Sequence, residues 1–197
     1  MAIIGRPREF DRDEALKAAM LVFWRKGYAA SSMTDLIDAM GIKSPSLYAA
    51  FGGKEALYIE AVDHYADTVG PLIWGHLSDG SAARAGVESL LLAAVDSMSR
   101  CDITPGGCMV TLAGVGEENS EAIRATTRRI RAHCLDMFRV RLTHAVTAGE
   151  LPASTDVERL SRFYLSVYQG IAIQARDGAP AAELAGIVDA AMRAWPL

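Results

Sequence analysis

The stretch SMTDLIDAMGIKSPSLYAAFGGKEAL, residues 32–57, decides how this chain reads. Ser32 is placed to cap a helix. Its hydroxyl can accept from the exposed backbone N–H groups while Asp35, three residues on, reaches back, a variant of the capping box. Met33, Leu36, Ile37 and Met40 recur at helical spacing and give that helix an apolar face. Gly41 follows the last of them, and glycine suits a left-handed helix stop. Ile42 is expected to bury in the turn. Ser44 is expected to cap the next helix with Pro45 at its first position, where the missing N–H is harmless. Leu47 and Phe51, four apart, point inward. Lys43, Ser44, Ser46, Tyr48, Ala49 and Ala50 are left nearer the exposed side. Gly52-Gly53 then breaks the chain, and Lys54-Glu55 opens a third helix. Two short helices around a tight turn form a helix-turn-helix, the shape that lays a short helix in the major groove of DNA.

Outward from this stretch, Asp13 to Gly27 reads as an amphipathic helix with Leu16, Ala19, Met20, Phe23 and Trp24 on one face and Gly27 as its stop. Lys54 sits beside a helix N-terminus, which already attracts anions, and is a phosphate ligand on this reading. The leading segment Gly5-Arg6-Pro7-Arg8 has too few apolar residues to fold alone. It is either a disordered tail or an arm whose Arg6 and Arg8 lie in a minor groove.

Residues 11–60 resemble the DNA-binding domain of the tetracycline-repressor (TetR) family of bacterial regulators. The resemblance rests on Phe23-Trp24-Arg25-Lys26-Gly27-Tyr28, Ser32-Met33-Thr34-Asp35-Leu36-Ile37, Gly41-Ile42, Ser46-Leu47-Tyr48, Phe51 and Lys54-Glu55-Ala56-Leu57, all in order. It implies that Thr34, Lys43, Ser44, Pro45, Ser46, Tyr48 and Lys54 touch DNA, with Tyr48 and Lys54 mostly on phosphate. Ala49 and Ala50 stand where family members often carry an aromatic residue or histidine, so the operator sequence does not follow from the family.

The net charge of −4 argues at first against a nucleic-acid partner, but its distribution answers the objection. Residues 1–54 hold eight Lys/Arg against six Asp/Glu, and all four lysines (Lys17, Lys26, Lys43, Lys54) lie there. A local basic footprint suffices when two copies bind together. The 197 residues contain no apolar run long enough to span a membrane and no secretory signal, so the chain reads as cytoplasmic. Three cysteines, Cys101, Cys108 and Cys134, do not make a disulfide scaffold.

The rest reads as helices throughout: Glu55 to Gly70, Ala85 to Met98, Cys108 to Val115, Ser120 to Gly149, Asp156 to Ala175 and Pro180 to Trp195. Asp156 and Pro180 are start signals. The expected fold is all-α. An N-terminal helix-turn-helix three-helix domain with its arm spans 1–54, and a helical ligand-sensing and dimerisation domain spans 55–197. The helix bearing Leu160, Phe163, Tyr164, Val167, Tyr168, Ile171 and Ile173 is apolar nearly all round. Leu184, Ile187, Val188, Ala191 and Met192 stripe the next. Helices so apolar need partners on more than one side, which points to a homodimer unless both are simply core. The resemblance implies the same four-helix interface, and a two-fold dimer implies a roughly palindromic operator.

The resemblance also implies a pocket for a small-molecule inducer, with Trp74, Met98, Met109, Leu112, Met137, Phe138, Phe163 and Tyr168 as candidate lining. Methionine and aromatic residues at helical spacing serve more often as plain core. Cys108 follows Gly106-Gly107 at a helix start, where a thiol is activated. With Arg100 nearby and Cys101 as a resolving partner, an oxidant or electrophile sensor is the alternative reading. A metal site from Cys101, Cys108, His133 and Cys134 matches no standard spacing, since adjacent His133 and Cys134 diverge by about 100° on a helix. No cofactor is implied. An enzyme is the rival class, but His64, His76, His133 and His144 are scattered, no G-x-S-x-G occurs, and Gly114-Val115-Gly116 lacks the dinucleotide-binding context. The sequence reading is therefore a DNA-binding transcriptional regulator, a dimeric repressor released from double-stranded operator DNA by an inducer.

Overall fold

Asp11 opens the first helix, its carboxylate accepting from the Asp13 and Glu14 amides. In the computed structural model, which describes residues 10–100, 104–113 and 120–196, that helix is α1 (Arg12–Ala30). It is followed by α2 (Met33–Met40), α3 (Ser44–Phe51), α4 (Lys54–Thr68), α5 (Gly70–Trp74) and a 3-10 turn at Gly75–Leu77. Next come α6 (Ala83–Ser99), α7 (Met109–Leu112), α8 (Glu121–Thr147), α9 (Val157–Arg176) and α10 (Ala181–Met192). There is no strand among the described residues. The all-α architecture expected from the sequence is the one observed.

The N-terminal helices close around a small core. Leu16, Ala19 and Phe23 of α1 meet Leu36 of α2, Leu47 and Phe51 of α3 and Leu57 of α4, all buried. Phe23 and Tyr28 both set their rings against Tyr58, at 4.9 and 5.2 Å. The remaining helices form a second layer. There α6 packs against α9 and α10, and α8 lies along α9. α4 belongs to both layers, packing on α1 at one end and on α8 further along.

Local signals explain most boundaries. The Ser32–Asp35 capping box forms in both directions, and Gly41 stops α2 in the left-handed region at φ 63°. Ser120 and Asp156 cap α8 and α9. Four expectations need correcting. Ser44 is not the cap of α3: Lys43 occupies that place, no side chain caps it, and Ser44 is already helical. Gly27 kinks α1 (φ 76°, ψ 171°) rather than ending it, because three more helical residues follow before Ser31, whose hydroxyl donates to the Gly27 carbonyl. The helix expected over Cys108 to Val115 is a single turn, α7, and residues 114–119 lie outside those described. α9 and α10 are not bare all round. Leu160, Tyr164, Tyr168, Ile171, Leu184, Val188 and Met192 are satisfied within this chain, and only Phe163 (39% exposed) and Ile173 (51%) of that stripe face outward.

Candidate nucleic-acid interface and cavity

α3 is an eight-residue helix anchored by two buried side chains, Leu47 and Phe51. Ala50 also packs partly against the core, and most of the rest faces out. Lys43, Ser44, Pro45, Tyr48 and Ala49 are exposed and Ser46 is half-buried, and Thr34 at the start of α2 is exposed beside them. Such a helix contributes little core, and its outward face of hydroxyls and one lysine is suited to base edges and phosphates. Tyr48 sets its ring beside Gly53, whose φ of 143° is a conformation that favours glycine. Lys54, the first residue of α4, holds its Nζ over the Tyr28 ring at 4.4 Å. That contact parks the ammonium beside the α4 N-terminus without neutralising it.

Ion pairing sorts the cations of this region. Arg12 pairs with Glu60, reaches the Ala50 carbonyl at 3.3 Å and stacks on Phe51 at 4.4 Å, so it braces α1, α3 and α4 from the rear. Lys17 pairs with Glu14, and Lys26 with Asp35 at 2.7 Å. The Lys26 and Ser32 hydrogen bonds hold the Asp35 carboxyl down at about 2. Lys43 and Lys54 have no carboxylate partner among the described residues. Arg6 and Arg8 lie outside the described residues.

A cavity of about 600 Å³ opens between α4, α5, α7, α8 and α9. Its apolar wall includes Ile73, Trp74, Ile130, Met137 and Leu165. Trp74 meets Tyr168 at 4.9 Å and Phe138 at 5.5 Å. At its floor Tyr168 donates a hydroxyl to the Cys108 sulfur at 3.5 Å, and Tyr65 stands beside the same thiol. Burial pushes both phenols well above the usual tyrosine range, so both hydroxyls stay protonated and can donate. At the rim Arg129 pairs with Asp63 at 2.6 Å, and Arg131 donates to the Val110 carbonyl at 3.1 Å.

The structure brings Trp74, Met137 and Tyr168 of the expected lining together on this wall, with the candidate sensor Cys108 beside them. Met98 is buried away from it, and Phe138 touches it only through Trp74. Met109 and Leu112 face a smaller cleft beside Trp24 and Arg176. Phe163 is on the outside. Cys108 is 3% exposed at the start of a four-residue helix, and Arg100 is engaged with Asp96 at 2.6 Å. Burial pushes the Cys134 thiol up to about 12. Cys101 lies outside the described residues, among which no group of three His, Cys, Asp or Glu could hold a metal ion.

The family profile for bacterial regulatory proteins of the tetR family matches residues 15–61. The profile for the tetracyclin repressor-like C-terminal domain matches residues 84–192. The chain belongs to the TetR family.

It is thus a DNA-binding transcriptional regulator and not an enzyme. The HTH-type transcriptional repressor ComR of Escherichia coli (strain K12) is 35% identical over 196 residues, covering 98% of this TetR-family chain and 92% of ComR. The TetR family transcriptional regulator CifR has been solved as a cysteine mutant complexed with 26-base-pair double-strand operator DNA. It is 43% identical, superimposes with a TM-score of 0.92, and the match covers 97% of this chain and 100% of that one. The HTH-type transcriptional repressor BdcR of Escherichia coli (strain K12) is 44% identical over 64 residues, about a third of each chain. No described helix of this TetR-family chain is long and apolar enough to cross a membrane.

Proposed function

We propose that this regulator is a homodimeric repressor that occupies a roughly palindromic operator and leaves it when a small molecule fills the cavity. The observation that carries the reading is the outward face of α3, a short helix whose buried side chains are Leu47 and Phe51. Residues 1–54 act as the reading head and 55–197 as the sensing and dimerising body. Lys43, Ser44, Pro45 and Ser46 read base edges, with Thr34 beside them. Tyr48 and Lys54 hold phosphate, and Arg6 and Arg8 extend the contact into the minor groove. The resemblance to CifR, solved on operator DNA, and to the repressor ComR supports this direction.

Dimerisation is supported by the one face of α9 and α10 that this chain leaves open. It carries Phe163 and Ile173 of α9, with Gly170 between them in sequence and Gly186 on α10, and a side chain added at either glycine would meet nothing within 4 Å. A glycine inside a helix destabilises it by about 1 kcal/mol relative to alanine. A second copy approaching closely offsets that cost. The test is selection of duplexes from a random pool with the purified protein, followed by anisotropy titration of the recovered sequence. Enrichment of a two-fold symmetric site bound by two chains is expected. Recovery of no sequence, or of an asymmetric site bound by one chain, would overturn the reading.

A second reading is favoured by one contact. Cys108 forms part of the cavity floor, so a small electrophile entering there meets its thiol. Operator binding before and after treatment with an alkylating agent separates the two readings: under the thiol reading release is lost in Cys108→Ser, and under the inducer reading operator binding never responds.

A further inference from the structure

Arg176, the last residue of α9, reaches across to two other segments. Its Nη1 donates to the Pro105 carbonyl at 2.7 Å and more weakly to the Gly106 carbonyl at 3.4 Å. Its Nη2 donates to the carbonyls of Trp24 and Arg25 at 2.7 and 2.8 Å. Those two carbonyls come just before Gly27, whose non-helical φ and ψ (76° and 171°) interrupt α1. A break in the helical backbone, like a helix end, leaves carbonyls unpaired and carries partial negative charge. A planar guanidinium from 151 residues away supplies both the donors and the cation.

The middle segment is tied in from the other sides as well. The Trp24 indole N–H donates to the Gly106 carbonyl at 3.1 Å, and the Gly107 amide donates to the Met98 carbonyl at 3.0 Å. Gly107 adopts φ +64°, and a side chain there would come within 2.6 Å of the Ala172 carbonyl of α9. The turn is therefore wedged between α1, α6 and α9 with no slack. The next residue is Cys108, part of the cavity floor. Tyr65, on the same floor, sets its ring against Trp24 at 4.9 Å.

We propose that Arg176 is the residue that positions the reading head on the body, and that its hold on the 105–107 turn makes that position depend on what occupies the cavity. This rests on the regulator reading above and supplies the route by which the cavity acts. An occupant pressing on Cys108 moves the turn. The turn carries the Pro105 carbonyl away from Nη1, and the guanidinium can then no longer bond both segments at once. The end of α1 is released and the spacing of the two heads is no longer fixed. Lysine cannot replace this grip, because one ammonium does not present two parallel pairs of donors.

The test uses the full chain with Arg176→Gln and the milder Arg176→Lys, whichever folds, on the operator recovered by selection. The expected loss of affinity on the full operator is about 5- to 150-fold, the usual size of a coupling between sites. Affinity for an isolated half-site is unchanged. The preference for one half-site spacing over spacings one base pair longer or shorter flattens. A loss of equal size on half-site and full operator would mean that Arg176 merely stabilises the head, and would overturn the proposal. So would an unchanged spacing profile. Hydrogen exchange needs no DNA and separates this from failure of the regulator reading. The variants should exchange faster over residues 25–31 and 104–107 but not in α10, and unaltered exchange at the end of α1 would also overturn the proposal. For the link to the cavity, Cys108→Phe (or Cys108→Met if the first does not fold) adds bulk at the floor. It should weaken operator binding in the native background and have little further effect in Arg176→Gln, and equal effects in both would sever the route.

Discussion

The aromatic residues of the two layers do opposite things. In the head, Phe23 and Tyr28 each meet Tyr58 edge to face, with Leu47 and Leu57 completely buried nearby. In the body, Trp74 and Tyr168 touch each other but also stand at the wall of a cavity of about 600 Å³. Interiors are normally packed as densely as organic crystals. A closed cluster resists deformation and holds a recognition helix at a fixed angle. A cluster with empty space on one side has somewhere to move. The head is built to be rigid and the body to yield, and each uses the same side chains.

The largest expected effect tests the rigid half. Phe23→Ala removes a side chain that is 1% exposed and should cost about 3–5 kcal/mol in denaturant unfolding. Met137→Ala, at the cavity wall, should cost about 1 kcal/mol, because a half-buried residue beside empty space has fewer contacts to lose. Equal costs would erase the distinction between the two layers.

Next in size are the DNA contacts. Ser44→Ala and Lys43→Ala should change which base is preferred at one or two operator positions, by about 1–3 kcal/mol each, read by competition between variant duplexes. They should leave unfolding unchanged, since neither side chain caps or anchors α3. Lys54→Ala should weaken all sites alike and lower the slope of log K against log salt by about 1, measured by anisotropy across a salt series.

The smallest effect is a matter of pH. The Asp35 carboxyl is held at about 2 in the folded head, below the ordinary value of 3.8. Its contribution to stability is therefore present above the ordinary value and is lost as pH falls from about 4 toward 2. Amide chemical shifts of Ser32 and Asp35 should follow that titration. Asp35→Asn should abolish it, and a titration that persists in the variant would assign it to another group.

These layers were not equally legible in the chain. Ser32, Asp35, Gly41, Leu47 and Phe51 announce the head because each acts on neighbours within four residues, where spacing alone reveals the partner. Ser44 misled for the same reason, since its identity and position fit a cap that the helix does not use. In the body, Trp74, Met137 and Tyr168 could be singled out by type. Nothing local separates them from Met98, which is core, or Phe163, which faces out. Tyr65, Asp63, Arg129 and Leu165 complete the cavity lining from three different helices and carry no signal of their own. Arg176 looks like an ordinary C-terminal arginine until the fold brings it to α1.

The anchoring of α3 through Leu47 and Phe51 has a consequence for how such proteins diverge. On the proposed function, the side chains that choose the DNA and those that hold the fold are different sets. On that reading, replacing residues 43, 44 and 46 would readdress the protein to another promoter without loosening its scaffold. A duplicated copy can therefore acquire a new target in single steps, each of them a folded and working protein.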